Sequence, residues 1–415
     1  MLTRTRIGAA VAVAMVGVLA LASGAKALSR SDRPAAGVVF PRIDVDTLNG
    51  RDTVVRLSNM DPDNAVTAKC FYVNGNSHCT NTGEPCTLSS ACLGAANSVG
   101  SCVPGWTVTD FLIVLTAQQP LGWRASEGLS GSSLPLHGPS KICSSSTAQF
   151  PKPCKDASDC RGGDSCDVNQ TNAGTLIPPA PEDPFMGELK CVEIDRDTDA
   201  PPAEDGAPST NDLKGEATIE TIQEDDTIDV GTYNAVGLTS TGDNNGDTSL
   251  DIGNEYNACP QTLVVNHLFD GAINPITSPP PHGTTILLEE SSTTELALVP
   301  CSEDLTGADR TVGVSTAQFL VYNEFEQRFS TSRRIDCFFK SQLSLIDTTQ
   351  PEHSIWNAAV SGTVGGQTRV RGIGSGLLGA ARLTMTEPEN GVVGSAAYNV
   401  HQDGERTAGD TITIP

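Results

Sequence analysis

Ala68-Lys-Cys-Phe-Tyr-Val-Asn74 and Ala317-Gln-Phe-Leu-Val-Tyr-Asn323 share a pattern and an ending, 249 residues apart. Each runs or alternates apolar as a half-buried or central strand does. Three further matches follow in the same order. Asp110-Phe-Leu-Ile-Val-Leu115 pairs with Asp336-Cys-Phe-Phe339, and each is followed by a tryptophan in a Trp-x-Ala setting, Trp123 and Trp356. Leu213-Lys-Gly215-Glu-Ala-Thr-Ile219 pairs with Leu377-Leu-Gly379-Ala-Ala-Arg-Leu383, and Gly231-Thr-Tyr233-Asn234 with Gly394-Ser-Ala-Ala-Tyr398-Asn399. Glycine to tyrosine is 18 residues in one half and 19 in the other. An ordered set of this kind indicates an internal repeat, which changes the domain count. It predicts an all-β chain of two tandem, related β-sandwich domains, Ig-like or jelly-roll-like, over 35–242 and 250–415.

The spacings between matched blocks show where the halves differ. Asn74 to Asp110 is 36 residues against 13 from Asn323 to Asp336, and Asp110 to Gly215 is 105 against 43 from Asp336 to Gly379. The first domain therefore carries two insertions, at 79–102 and 128–184. Surface loops absorb such length at little closure entropy. The first insertion holds Cys79, Cys86, Cys92 and Cys102, and the second Cys143, Cys154, Cys160 and Cys166. Four cysteines allow two bridges and three connectivities each. Of the remaining five, Cys70 with Cys191 and Cys301 with Cys337 are the expected pairs, leaving Cys259; an odd total of 13 leaves at least one thiol over.

The N-terminus has the three parts of a secretory signal in order. Arg4 and Arg6 precede an apolar run from Ile7 to Ala22, and Ala25-Lys26-Ala27 offers a small-x-small cleavage site. Residues 1–27 therefore read as a signal peptide, cleaved after Ala27. The run is shorter than the roughly 20 residues a spanning helix needs, and no membrane insertion is expected after cleavage. Thirteen cysteines beyond it fit an oxidising compartment. Forty glycines and 26 prolines favour short strands and turns. The formal charge of −24, more negative still once Arg4, Arg6 and Lys26 depart, disfavours nucleic acid and anionic membranes as partners.

No sequence constellation carries chemistry. Zinc wants Cys-x2–4-Cys pairs, whereas the closest cysteines here are more widely spaced and favour disulfides. The six histidines, His78, His137, His267, His282, His353 and His401, form no His-x-x-x-His or His-x-His. Gly374-Ser375-Gly376 lacks the first glycine of a nucleophile elbow. Glu324 and Glu326 would share a strand face, which reads as a solvated edge before it reads as a glycosidase pair. Asp243, Asn245, Asp247 and Asp251 place oxygens at alternate positions, as a calcium loop does, but without the EF-hand glycine and terminal glutamate. Calcium is the one cofactor this pattern suggests.

Cys86…Cys92 and Cys154…Cys160 repeat a Cys-x5-Cys spacing, in Pro-Cys-x-x-Ser-x-x-Cys and Pro-Cys-Lys-Asp-Ala-Ser-Asp-Cys-Arg-Gly-Gly-Asp-Ser-Cys. These segments resemble a Cys-rich module of large secreted bacterial proteins, and the whole chain resembles exported bacterial β-sandwich proteins with Cys-rich insertions. The resemblance implies a surface location and disulfides, and brings no functional residue. The expected role is a secreted or cell-surface structural, adhesion-type protein whose partner is an extracellular protein or glycan. Carbohydrate binding through Trp106 or Trp123, or a hydrolase assembled from distant residues, are the alternatives.

Overall fold

The structure is a computed structural model. It describes residues 33–415 apart from 83, 87–88, 95–98, 105–106, 130–141, 144–164, 168–176, 196, 203–210, 224–225, 243, 272–290, 310 and 388–390. The signal-peptide reading of 1–27 and most of the insertion at 128–184 lie outside those residues.

The chain is all-β, with helix in 6% of it. Sheet one orders β13 (Val236–Leu238), β1 (Gly37–Val45), β10 (Phe185–Glu193), β3 (Val66–Asn74) and β6 (Val108–Leu115). Sheet two orders β12 (Ile228–Asn234), β11 (Leu213–Ile222), β2 (Arg51–Asn59) and β7 (Pro120–Arg124). Sheet three is small: β14 (Ser249–Ile252), β25 (Asp410–Thr413) and β17 (Glu303–Asp304), the last two parallel. Sheet four orders β24 (His401–Glu405), β15 (Pro260–Leu268), β21 (Gly365–Gly374), β18 (Val314–Asn323) and β19 (Arg328–Asp336). Sheet five orders β23 (Gly391–Asn399), β22 (Leu377–Glu387), β16 (Ser291–Pro300) and β20 (Phe339–Gln342). Two-stranded ribbons, β4 (Ser77–Cys79) with β5 (Cys102–Pro104) and β8 (Ile142–Cys143) with β9 (Cys166–Asp167), sit in the insertions.

The expected pair of tandem β-sandwich domains is not what forms. The small sheets are arranged as a five-bladed β-propeller. A lone sandwich wets the outer face of each sheet, so its strands alternate buried and exposed. Here all nine residues of β1 are buried, and so are eight of nine in β3 and in β10. One face of sheet one packs on sheet two, through Phe40, Tyr72, Leu189, Val55 and Ile219. The other packs Val39, Phe71, Val73 and Val192 on Leu250, Ile412 and Val299, from sheets three and five. A third cluster around Trp356, Phe319 and Leu298 lies between sheets four and five. Each large apolar side chain so enclosed contributes about 1.5–3 kcal/mol.

The matched sequence blocks fall as follows. Ala68–Asn74 lies in β3 and Ala317–Asn323 in β18, each fourth in its sheet by the orders above. Asp110 lies near the start of β6 and Asp336 ends β19, so that pairing does not hold in the structure. Cys70 bonds Cys191, its direct cross-strand neighbour, closing a separation of 121 residues. Cys301, expected with Cys337, bonds Cys259 instead, bracing the adjacent ends of β16 and β15. Cys337 is the free thiol among the described residues, and it is buried.

Behind Trp356 is a neutral histidine. His267 Nδ1 donates to the Leu268 carbonyl at 3.1 Å, which leaves Nε2 bare to accept from Thr368 Oγ1 at 2.8 Å. Trp356 Nε1 donates to the same Thr368 oxygen at 2.8 Å. Burial pushes the imidazole down to about 4, against the lesser upward pull of the Leu268 carbonyl. Because the unfolded histidine titrates near 6.5 and the folded one near 4, the unfolded state binds more protons between them. Stability should therefore fall as pH drops through that window, by about 3 kcal/mol at most from this residue. Denaturant midpoints measured from pH 7 to pH 4 should show the slope, and His267→Gln should flatten it.

Candidate functional site

The charged residues of the doubly covered sheet are its unusual feature. On β10, Glu188 and Lys190 stand two apart and therefore share a face, the one turned from sheet two. Both are buried, as is Glu303 on β17. Lys190 Nζ lies 2.6 Å from Glu188 Oε2 and donates to Glu303 Oε2. Neither oxygen of Glu188 has hydrogen-bond geometry to a partner, and Glu303 Oε1 has none either. Burial raises the Glu188 carboxyl well above its ordinary value; Lys190 opposes this and Glu303 adds to it. Lys190 is held charged, its two carboxylate neighbours outweighing burial. The cluster thus brings two carboxyl groups to one ammonium. The thiol of Cys337 also belongs to this environment: burial, then Glu303 and Glu188, push it well above the usual thiol value.

A second cluster lies at the edge of the same sheet. Arg42, buried on β1, donates from Nε to Asp44 Oδ2 at 2.8 Å and from Nη2 to Glu295 Oε2 of β16 at 2.6 Å. Lys340 of β20 donates to the other Asp44 oxygen at 2.8 Å. Two positive and two negative groups balance. Burial works to raise the Asp44 carboxyl, but Arg42 and Lys340 together hold it far below the ordinary range. Tyr233 closes the back, accepting from the Arg42 amide and donating to the Arg42 carbonyl. A third contact joins Arg382 of β22 to Asp229 of β12 at 2.9 Å, with Ser395 on the same carboxylate. Every one of these clusters joins residues before 243 to residues after 290.

The residues singled out by sequence fall elsewhere. Asp243 lies outside the described residues. Asn245 Oδ1 accepts the Asp247 amide at 2.7 Å and Asp247 Oδ1 accepts the Ser249 amide at 2.7 Å, while Asp251 lies in β14. Glu255, buried, accepts the amides of Asn245 and Asp251. Asn245 Oδ1 and Asp247 Oδ1 are thus engaged by backbone amides in Asx turns. Glu324 and Glu326 are not two residues of one strand: both sit in the turn between β18 and β19. Ser375 is buried and donates to Asp410 at 3.1 Å, with no histidine among its partners. Trp123 and Trp356 are core residues, and Trp106, His137 and His282 lie outside the described residues. Cysteine groupings that could mimic a metal site, Cys79 with Cys86 and Cys92, and Cys259 with Cys301 and Asp410, have their sulfurs in disulfides.

The first insertion is the most built-up surface feature. Disulfides Cys79–Cys92 and Cys86–Cys102 close it, one of the three connectivities open to its four cysteines. At its base His78 Nε2 meets Glu182 Oε2 at 2.9 Å, and Asn76 donates to Glu182 and to the Pro184 carbonyl. Burial alone would raise Glu182; hydrogen bonds from His78, Asn74 and Asn76 outweigh it and hold the carboxyl below its ordinary value. At the far end Leu93 pairs with Val99 in an isolated bridge, 67% and 79% exposed. In the second insertion Cys143 stands opposite Cys166, which is disulfide-bonded; Cys154 and Cys160 lie outside the described residues.

No protein-family model matches the chain, and no curated protein matches it in sequence.

Removing one member of a buried ion cluster strands its partners and costs about 3–5 kcal/mol, whereas an exposed pair is worth under about 1 kcal/mol. Arg42→Ala should therefore lower the denaturant midpoint severely, and Arg56→Ala, which loses the exposed contact with Glu216, should barely move it. Equal, small effects would show that the Arg42 cluster is not an internal clasp. Cys337 should stay unlabelled by a thiol reagent in the native protein and label once the chain is unfolded.

Proposed function

We propose that the chain is an exported, adhesion-type structural protein, acting outside the cytoplasm by contact with another extracellular protein. The carrying observation is the loop at 79–102. Two disulfides and a clamped base hold it, so little ordering entropy opposes binding through its tip. The tip presents Leu93 and Val99 to solvent, an apolar pair suited to a pocket on a protein surface. Glycan recognition is less favoured, because Trp123, one of the aromatics that could stack on a sugar, is buried.

Several features support export. Residues 1–27 have the order of a cleavable signal, the disulfides suit an oxidising compartment, and no helix among the described residues is long and apolar enough to cross a membrane. We also read the chain as two copies of one plan, the first enlarged at 79–102 and 128–184. The shared strand orders, β13-β1-β10-β3-β6 with β24-β15-β21-β18-β19 and β12-β11-β2-β7 with β23-β22-β16-β20, support that reading.

Two measurements test the proposal. N-terminal sequencing of protein recovered outside the cytoplasm of the producing cell should begin at Leu28; recovery only from the cytoplasm, with thiols reduced, would overturn export. Labelled protein should bind the producing cells' surface, and Leu93→Asp with Val99→Asp should reduce binding at least about tenfold, as loss of a hot-spot pair does. Equal binding by the double variant would remove the loop from the account.

A further inference from the structure

We propose that Lys190 and Glu303 condense into an intramolecular isopeptide bond, with Glu188 as the proton-transfer group, so that strands β10 and β17 become covalently joined across the interior of the molecule.

Three arrangements carry this. Lys190 Nζ is held between the carboxyl groups of Glu188 and Glu303, hydrogen-bonded to the latter and 2.6 Å from the former. All three side chains are almost wholly withdrawn from solvent, and Val39, Phe71 and Val73 of the second core cluster stand directly across from Lys190 or Glu188. Three of the four carboxyl oxygens lack hydrogen-bond geometry to a partner, and of these only Glu188 Oε2 has a close ion-pair contact in the cluster. An ionic cluster with so few compensating hydrogen bonds pays for burial poorly. An amide replaces the ammonium and one carboxylate with a single neutral group, and the dry surroundings oppose hydrolysis. Glu188 and Lys190 are fixed on one face of one strand, and Glu303 is fixed by the parallel pairing of β17 with β25, so the reacting groups are held together before reaction.

The step balances without an oxidant or a co-reactant. One ammonium proton passes to the Glu303 carboxylate, giving a neutral amine facing a neutral carboxyl. Protonated Glu188 donates to the Glu303 carbonyl oxygen, and Lys190 Nζ attacks Cδ, forming the C–N bond. Glu188 accepts a proton from the attacking nitrogen and delivers one to the departing hydroxyl. The C–O bond breaks, water leaves, the amide oxygen returns its proton to Glu188, and Glu188 ends protonated as it began. Burial, and after it the neighbouring Glu303, raise the Glu188 carboxyl well above its ordinary value, the direction a proton-transfer group in this cycle needs.

The test is mass spectrometry of the full chain, reduced and alkylated. A tryptic digest should contain one branched peptide joining the segment around Lys190 to the segment around Glu303, about 18 Da lighter than its two linear parts together, since one water is lost. Trypsin should fail to cut after Lys190, whose side chain would no longer be an amine. Glu188→Gln should leave the bond unformed and both linear peptides at full mass, and Lys190→Met should do the same. Recovery of both segments from the wild-type protein as linear peptides, cut after Lys190, overturns the proposal. If either variant fails to fold, the wild-type digest decides alone.

Discussion

Sheet one is covered on both faces, and most of the molecule follows from that. A strand such as Gly37-Val-Val-Phe-Pro-Arg-Ile-Asp-Val45 offers apolar residues to sheet two on one side and to sheets three and five on the other. Any charged residue on it is then carried into the interior. Arg42, Asp44, Glu188 and Lys190 are all withdrawn from water, and a buried charge is tolerated only when paired. The partners are Glu295, Lys340 and Glu303, from the far half of the chain. The ionic clusters therefore follow from the layering, and they also reinforce it: Arg42 pairs with Asp44 and Lys190 with Glu188 within sheet one, and the second half completes each cluster with Glu295 and Lys340 or with Glu303.

The disulfides add to this plan at different levels. Cys70–Cys191 staples neighbouring strands within sheet one, and Cys259–Cys301 ties adjacent ends of sheets four and five. Closing 121 residues removes more unfolded-chain entropy than closing 13 or 16, although the gain grows only logarithmically with length. The short bridges of the first insertion serve another purpose. A loop of that length with scarcely any core of its own gains a fixed shape from covalent closure, and the shape is what a contact surface needs.

The all-β class, the segments Ala68–Asn74 and Ala317–Asn323, and the location of the cysteine-bearing loop were legible in the sequence, because strand periodicity and cysteine density are local signals. The sandwich expectation went wrong at the layer level. A strand covered on both faces shows as a continuous apolar run in place of alternation, and the run at 37–45 is broken by Pro41, Arg42 and Asp44. Cys337 looked like a partner for Cys301, yet its neighbours across space are Glu303 and Glu188. Within the calcium pattern, Asn245 Oδ1 and Asp247 Oδ1 accept backbone amides, contacts that alternation of Asx residues does not reveal. Glu188, Lys190 and Glu303 were missed altogether. The sole local sign was a Glu-x-Lys pair inside an otherwise apolar strand; the third member lies 113 residues from Lys190.

The central claim is that the two halves are one cooperative body, welded through the second face of sheet one. Scanning calorimetry of the oxidised full chain tests it most directly. A single transition whose calorimetric and van't Hoff enthalpies agree is the predicted result. Two separate transitions, each with about half the total enthalpy, would contradict it.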